Sequence, residues 1–181
     1  RDKDALTKEG VEAVLNELKE EFDYIICDSP AGIERGAQLA MYFADEAVVV
    51  TNPEVSSVRD SDRVLGLLAS KTHRAEKGAS EPVRPRVLIT RHDQGRIDKG
   101  EMMTVEDVLE ILAVPLLGIV PESQAVLRAS NVGVPVILDE PSAAGKAYED
   151  AVARLTGEDV EMKIESEKRP GFIQRIFGRS A

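Results

Sequence analysis

Four short apolar runs, separated by longer stretches with helical periodicity, determine the fold class of this chain. The runs cover residues 24–27, 47–51, 86–90 and 116–120 and are rich in Val, Ile and Leu. Continuous apolar runs of this length are typical of strands that are buried on both faces of a parallel sheet. The intervening patterns predict helices over 7–21, 32–44, 56–70, 105–112, 123–130 and 142–155.

This alternation predicts an α/β fold, a doubly wound and mainly parallel sheet with helices on both faces. The chain opens in a charged stretch that leads into a helix, without a first strand. It contains neither Gly-x-x-x-x-Gly-Lys-Ser/Thr nor Gly-x-Gly-x-x-Gly, the two glycine-rich loops that cradle phosphates. We therefore expect a fragment whose sheet is truncated at the N-terminus.

Composition and charge narrow the functional class. With 181 residues and 43% hydrophobic content, the chain can bury one core. No apolar run approaches the ~18 to 20 residues that span a bilayer, and the N-terminus does not resemble a signal peptide. The net charge is −10, but the segment from Lys168 carries four basic side chains and no acidic one, which leaves −14 on the rest. An acidic body is a poor nucleic-acid surface.

The first apolar run ends in Asp28, followed by Ser29, Pro30, Ala31 and Gly32. Ligands bind beyond the carboxyl ends of the strands in open parallel sheets, so a carboxylate in this position could face a phosphate-bound magnesium ion. The alternative is that Asp28 only begins a turn or caps the next helix. The single cysteine, Cys27, lies inside the apolar run and is expected to be an inert core thiol rather than a nucleophile.

The ends of the second and fourth runs are similar in character. Residues 51–54 read Thr-Asn-Pro-Glu, and Pro121 and Glu122 follow the fourth run. The carboxyl ends of parallel strands lie on one edge of a sheet, so all three polar ends, including Asp28 after the first run, are expected to share a ligand-binding edge. Each could also be an ordinary transition from strand to loop.

Several long motifs follow one another along the chain. They are Phe-Asp-Tyr-Ile-Ile-Cys-Asp-Ser-Pro-Ala-Gly-Ile-Glu at 22–34, Tyr-Phe-Ala-Asp-Glu-Ala at 42–47 and Thr-Asn-Pro-Glu-Val-Ser-Ser-Val-Arg-Asp-Ser-Asp at 51–62, together with residues 127–131, 135–139 and 171–178. In this order the motifs resemble the MinD family of deviant Walker-A ATPases, which position bacterial cell division. The resemblance covers nearly the whole chain.

The resemblance implies an ATP and Mg²⁺ site. Asp28 matches the second switch of the family, whose aspartate reaches the ATP-bound magnesium, usually through water. The adenine-side contacts of the family fall here on Thr90 and Arg91 and on Pro121 and Glu122. Two departures matter: the phosphate-binding loop with its two lysines is not in this chain, and residues 91–95 differ from the Arg-Tyr-Asn-Pro expected there.

The resemblance also implies partners. The surface formed by Arg59, Asp60 and Asp62 matches the family's surface for MinC and MinE. From the residues alone, this surface is a solvated helix face with alternating charge. The family implies a homodimer with ATP, whose paired tails bind the inner membrane from the cytoplasm, reversibly and peripherally.

The C-terminal segment predicts membrane binding independently of the family. Its apolar and basic residues share one helical pattern, an apolar stripe flanked by basic side chains, which is typical of a short interfacial helix on anionic lipid. The alternatives are a helix that docks on its own domain and a frayed tail. The residues are Lys168, Arg169, Phe172, Ile173, Arg175, Ile176, Phe177 and Arg179.

The expected organisation is therefore a MinD-like body over 1–156, an acidic tether over 157–167 and a membrane-targeting amphipathic helix over 168–181. The expected function is that of part of an ATP hydrolase that places the division septum by recruiting MinC, with hydrolysis stimulated by MinE. This chain alone is expected to be inactive. The alternatives are a non-catalytic membrane adaptor with a nucleotide-fold body and a positioning ATPase for another cargo.

Overall fold

The computed structural model describes residues 7–30, 32–78, 80–139 and 141–162. Its strands are β1 (Glu46–Thr51), β2 (Arg84–His92) and β3 (Leu116–Pro121). Its helices, in chain order, are α1 (Lys8–Glu21), α2 (Arg35–Tyr42), α3 (Val55–Ser70), α4 (His73–Glu76), α5 (Gln94–Asp98), α6 (Val105–Leu112), α7 (Gln124–Val132) and α8 (Ala143–Leu155), and a 3-10 turn covers Val136–Leu138.

The three strands form one sheet in the order β1-β2-β3. β2 pairs with β3 in parallel, with Val87 opposite Leu116 and Ile89 opposite Ile119. Helices separate the strands along the chain, so the predicted α/β class is confirmed. The long predicted helices are also confirmed, with ends that differ by at most a few residues. Short helices α4 and α5 occupy two stretches that were predicted to be loops.

The chain divides into two compact units, which we describe separately. Unit 1 comprises Arg1–Ala47 and Arg63–Arg84, and unit 2 comprises Val48–Asp62 and Pro85–Ala181. The predicted domain boundaries at 156 and 167 stay predictions, because residues from 163 onward lie outside the described part of the chain.

Unit 1 contains a polar cluster between its helices. The Tyr42 hydroxyl donates to Glu76 Oε2 at 2.6 Å, and Lys8 Nζ lies 3.4 Å from the same oxygen. The hydrogen bond from Tyr42 holds the pKa of Glu76 below its ordinary value, against the opposing effect of partial burial. Nearby, the ring of Phe43 packs against the ring of His73 at a centroid distance of 5.5 Å.

The prediction of a buried strand over 24–27 is wrong. These residues have no regular secondary structure, and the side chains of Tyr24 and Ile26 are 70% and 91% exposed. Cys27 is exposed as well, so the expected core thiol is also wrong. A strand buries its apolar faces only when neighbouring strands satisfy its backbone hydrogen bonds, and no strand among the described residues pairs with this run.

One core cluster of unit 2 lies between the sheet and α8. Leu88, Leu117 and Val120 from the sheet pack against Ala144 and Ala151 from the helix. The helix is placed by its N-cap, because Ser142 Oγ accepts a hydrogen bond from the Gly145 amide at 3.0 Å. Small residues on both sides of this interface allow the helix to approach the sheet closely.

Gly118 allows the closest part of this approach. A Cβ atom at Gly118 would lie 3.1 Å from both Ala151 Cβ and Leu88 Cδ1. We expect Gly118→Val to lower the free energy of unfolding by about 1–3 kcal/mol, because the added methyl groups would force the helix away from the sheet. Urea denaturation measures this change.

The control for Gly118→Val is a glycine with open space around it. A Cβ atom at Gly66 of α3 would meet nothing within 4 Å. Gly66→Ala is therefore expected to raise the free energy of unfolding by up to about 1 kcal/mol, as alanine favours the helix. An unchanged urea midpoint for Gly118→Val would contradict the close packing of α8 on β3.

Candidate functional site

Polar residues from the ends of all three strands meet in unit 2. Thr90, near the end of β2, donates a hydrogen bond from Oγ1 to Asn52 Oδ1 at 3.0 Å, and Asn52 directly follows β1. On the other side of β2, the amide of Glu122 donates to the carbonyl of His92 at 2.9 Å, and Glu122 directly follows β3. The predicted clustering is confirmed for the ends of the second and fourth runs, and it is wrong for the first run, which forms no strand and ends in Asp28. We call the cluster of Asn52, Thr90, Arg91, Pro121 and Glu122 the strand-end edge.

The hydrogen bond from Thr90 orients the side chain of Asn52. The amide oxygen accepts from the hydroxyl, so the NH₂ group of Asn52 is the part that an incoming hydrogen-bond acceptor would meet. Asn52 is half-buried, as is Thr90. A partly desolvated donor held in one orientation is suited to recognise a ring nitrogen or a carbonyl of a ligand.

Arg91 has an unusual backbone conformation at the strand-end edge. Its φ is +57°, in the left-handed region that non-glycine residues seldom adopt. Its Nε donates to Glu122 Oε2 at 2.9 Å, and this hydrogen bond raises the pKa of the Arg91 guanidinium. Residues held in sparsely populated conformations gather at ligand sites, which agrees with the site role predicted for Arg91.

A second layer supports the loop after β1. The amide of Met103 donates to the carbonyl of Pro53 at 3.0 Å, and Pro53 is buried. Arg96, near the middle of α5, lies 3.5 Å from Glu54 Oε1. Asp93 caps α5 by accepting from the Arg96 amide at 3.0 Å. The contacts of Pro53 with Met103 and of Glu54 with Arg96 hold the loop after β1 in place beside the strand-end edge.

Asn52 and Arg96 were not among the predicted site residues. Asn52 lies in the polar strand ending Thr-Asn-Pro-Glu, and that pattern was the signal that could have identified it. Arg96 gave no sequence signal, because its contact with Glu54 joins residues 42 positions apart.

Pro121, Glu122, Thr90 and Arg91 therefore lie together, whereas Asp28 belongs to unit 1. Asp28 is exposed and follows the irregular run at 24–27. A single exposed carboxylate fits an Mg²⁺ ion that is held mainly by phosphate and water. Among the described residues, no three His, Cys, Asp or Glu side chains converge on a point that could hold a metal ion by themselves.

The predicted partner surface lies on α3. Arg59, Asp60 and Asp62 are all exposed within unit 2. Their placement agrees with the solvated helix face predicted from the residues alone. The predicted membrane residues, from Lys168 to Arg179, lie outside the described residues. In the described ranges, no helix is both long and apolar enough to cross a membrane.

Three known proteins resemble this chain. The septum site-determining protein MinD of Escherichia coli (strain K12) is 59% identical over 179 residues, which cover 98% of this chain and 66% of the relative. A solved MinC:MinD cell division protein complex from Aquifex aeolicus is 38% identical with a TM-score of 0.76, and the match covers 88% of this chain and 63% of that one. A solved MinD complexed with Mg-ADP from Pyrococcus horikoshii is 26% identical with a TM-score of 0.66, and the match covers 83% and 58% of the two chains.

The chain thus spans 66% of the length of its curated relative from Escherichia coli. No family model matches it. The alignment with that relative nevertheless covers almost the whole of this chain, and the solved structures share its fold. The chain belongs to the MinD family of septum site-determining proteins.

Proposed function

We propose that this chain supplies three parts of a MinD-type ATP hydrolase that places the division septum: the base-side edge of the nucleotide site, a magnesium-facing aspartate and a membrane-binding tail. The observation that carries this proposal is the strand-end edge. There Thr90 orients Asn52, and Arg91 pairs with Glu122, at the side of the sheet where α/β folds bind ligands.

Each residue of the strand-end edge has a chemical task in this proposal. Asn52 presents its NH₂ group to an acceptor on the base. The Arg91 side chain is exposed and can stack its planar guanidinium on a ring while Glu122 limits its movement. Pro121 closes the end of β3 with a rigid apolar surface. Mg²⁺, when bound, would neutralise phosphate charge, and Asp28 would accept hydrogen bonds from its coordinated water.

The relative solved with Mg-ADP supports the choice of nucleotide and metal. The relative solved with MinC supports MinC as a partner, and the exposed surface with Arg59, Asp60 and Asp62 is our proposed contact. We further propose that ATP drives homodimerisation, that MinE stimulates hydrolysis, and that the protein binds the inner membrane peripherally and reversibly from the cytoplasm.

Titration of Mg-ATP into the ¹⁵N-labelled chain tests the strand-end edge. We expect amide shifts concentrated at Asn52, Thr90, Arg91 and Glu122. Binding is expected to be weak, with a dissociation constant near the millimolar range, because no glycine-rich loop cradles the phosphates. Asn52→Ala is expected to weaken binding about tenfold, the effect of losing one hydrogen bond of about 1.4 kcal/mol.

Asn16→Ala is the matched control, because Asn16 is an exposed amide on α1 of unit 1. It should leave the affinity unchanged. Shifts that avoid the strand-end edge, or equal affinities for the two alanine variants, would overturn the assignment of the base-side contacts.

A further inference from the structure

An open apolar groove crosses the surface of unit 2, away from the strand-end edge. It has a volume of about 600 Å³ and lies between α7, the 3-10 turn and α8. The Val152 and Ile137 side chains in its wall are 55% and 46% exposed, so no described residue covers them. The apolar lining is formed by Val126, Ala129, Val134, Pro135, Ile137 and Val152.

The walls of the groove are held in place by backbone contacts. α7 ends at Gly133, whose φ is +75°, and the Val134 amide then donates to the Ala129 carbonyl at 3.0 Å. The turn and α8 approach closely, because a Cβ atom at Gly145 would lie 3.4 Å from the Val136 carbonyl oxygen. The groove is therefore a preformed surface rather than a gap that side chains could close.

The last described residues connect the groove to the C-terminal segment. Thr156 and Glu158, which follow α8, are part of the groove lining. Arg154 fixes the next residues, since its Nε donates to the Val160 carbonyl at 2.8 Å and its Nη2 to the Glu161 carbonyl at 2.9 Å. The described part of the chain ends at residue 162, soon after the last residue of the groove lining.

We propose that the groove binds the chain's own basic, apolar C-terminal segment, residues 168–181, and thereby withholds it from the membrane. The apolar residues of that segment, Phe172, Ile173, Ile176 and Phe177, match the apolar lining. Its four basic side chains match the acidic residues of the groove, Glu149 and Glu158. The proposal rests on the membrane-binding role proposed above for the same segment.

Chain length favours the chain's own segment over a second copy. Ten residues separate residues 162 and 172, and an extended chain spans up to about 35 Å over that distance. The segment can therefore turn back and reach the groove, whose last lining residue in chain order is Glu158. A short tether gives an effective concentration in the millimolar range, far above that of a second copy in dilute solution.

Docking in the groove lowers the apparent membrane affinity. The same apolar side chains cannot contact the groove and the lipid together, so only the undocked fraction binds vesicles. If about nine tenths of the segments are docked, releasing them raises the apparent affinity about tenfold.

Val152→Gln tests this competition in the full chain. A polar amide in the apolar groove wall should release the segment and raise co-sedimentation with vesicles of equal parts phosphatidylglycerol and phosphatidylcholine, up to about tenfold in apparent affinity. The substitution leaves the net charge unchanged, so an increase has no electrostatic cause. Val152 is already half exposed, and circular dichroism would check that the fold persists.

Leu127→Gln is the matched control. Leu127 is 54% exposed, nearly the same as Val152, and lies on α7 outside the groove lining. It adds the same polar amide to an apolar surface, so its vesicle binding should equal that of the unmodified chain. Equal binding by Val152→Gln and Leu127→Gln would overturn the proposal.

Photo-crosslinking detects docking of the C-terminal segment in the groove in the absence of vesicles. With benzoylphenylalanine in place of Phe172, we expect intrachain crosslinks to groove residues, lost in the Val152→Gln background. Crosslinks to a second copy, or to intrachain sites outside the groove, would overturn the proposal. Failure of the membrane role would appear separately, as vesicle binding that Phe172→Glu does not change.

Discussion

Phe172→Glu and Ile176→Glu are each expected to abolish co-sedimentation of the chain with phosphatidylglycerol-containing vesicles. The two residues are four positions apart in the sequence, which would place them one turn apart on the predicted apolar stripe. Each contributes roughly 1 kcal/mol or slightly more when partly buried in the membrane interface, and each basic neighbour adds about 1 kcal/mol at an anionic surface. Part of this binding free energy is needed to order a helix that is too short to be stable in water, so the net affinity of one copy is marginal.

A single glutamate removes more than the lost burial. It also places a negative charge against anionic lipid, which reverses part of the attraction from Lys168, Arg169, Arg175 and Arg179. The measurement is the fraction of protein that sediments with vesicles, and circular dichroism should show that the fold persists in both variants.

Gln174→Glu is the matched control for the membrane variants. On a helix, Gln174 lies on the side opposite the apolar stripe, and the substitution adds the same charge. We expect it to reduce vesicle binding only modestly. Unchanged sedimentation of both Phe172→Glu and Ile176→Glu would contradict the membrane role of the segment, whatever the state of the groove.

The sequence predicted the elements whose partners lie within the same chain. The run at 86–90 became β2 because the neighbouring strands β1 and β3 flank it, and Val87 and Ile89 are fully buried. The run at 24–27 has the same apolar character but no strand beside it among the described residues. Apolar periodicity indicates that a segment can be buried, whereas burial itself depends on the neighbours available.

The site residues also fall into two groups, those that local sequence patterns predict and those whose contacts join distant parts of the chain. Residues 51–54 and Glu122 could be placed at one edge because parallel strands align their carboxyl ends, and the resemblance to the MinD family added Thr90 and Arg91. The ion pair of Arg91 with Glu122 and the contact of Arg96 with Glu54 could not be predicted, as each depends on the register and loop paths of separate elements. The left-handed backbone of Arg91 likewise follows from loop geometry and has no signature in residue type.

The full chain is expected to release no phosphate from Mg-ATP above the uncatalysed background. Phosphoryl transfer is accelerated by groups that position the phosphates and neutralise the charge that develops during transfer. The chain contains no glycine-rich loop followed by lysine that could do this. Asn52, Thr90 and Arg91 contact only the base side in the proposed site, and Asp28 can only assist a metal ion that phosphates already hold.

The measurement is phosphate release over hours at saturating Mg-ATP, with and without phosphatidylglycerol vesicles. MinD from Escherichia coli, assayed in parallel, controls for the conditions. Turnover above background would mean that this chain holds and activates the γ-phosphate with residues other than a glycine-rich loop, and our division of labour between Asp28 and the strand-end edge would be wrong. Binding of nucleotide at the strand-end edge without hydrolysis would instead show that recognition of ATP and its hydrolysis depend on different residues. Recognition would depend on residues 52, 90, 91 and 122, and hydrolysis on groups that only a phosphate-binding loop supplies.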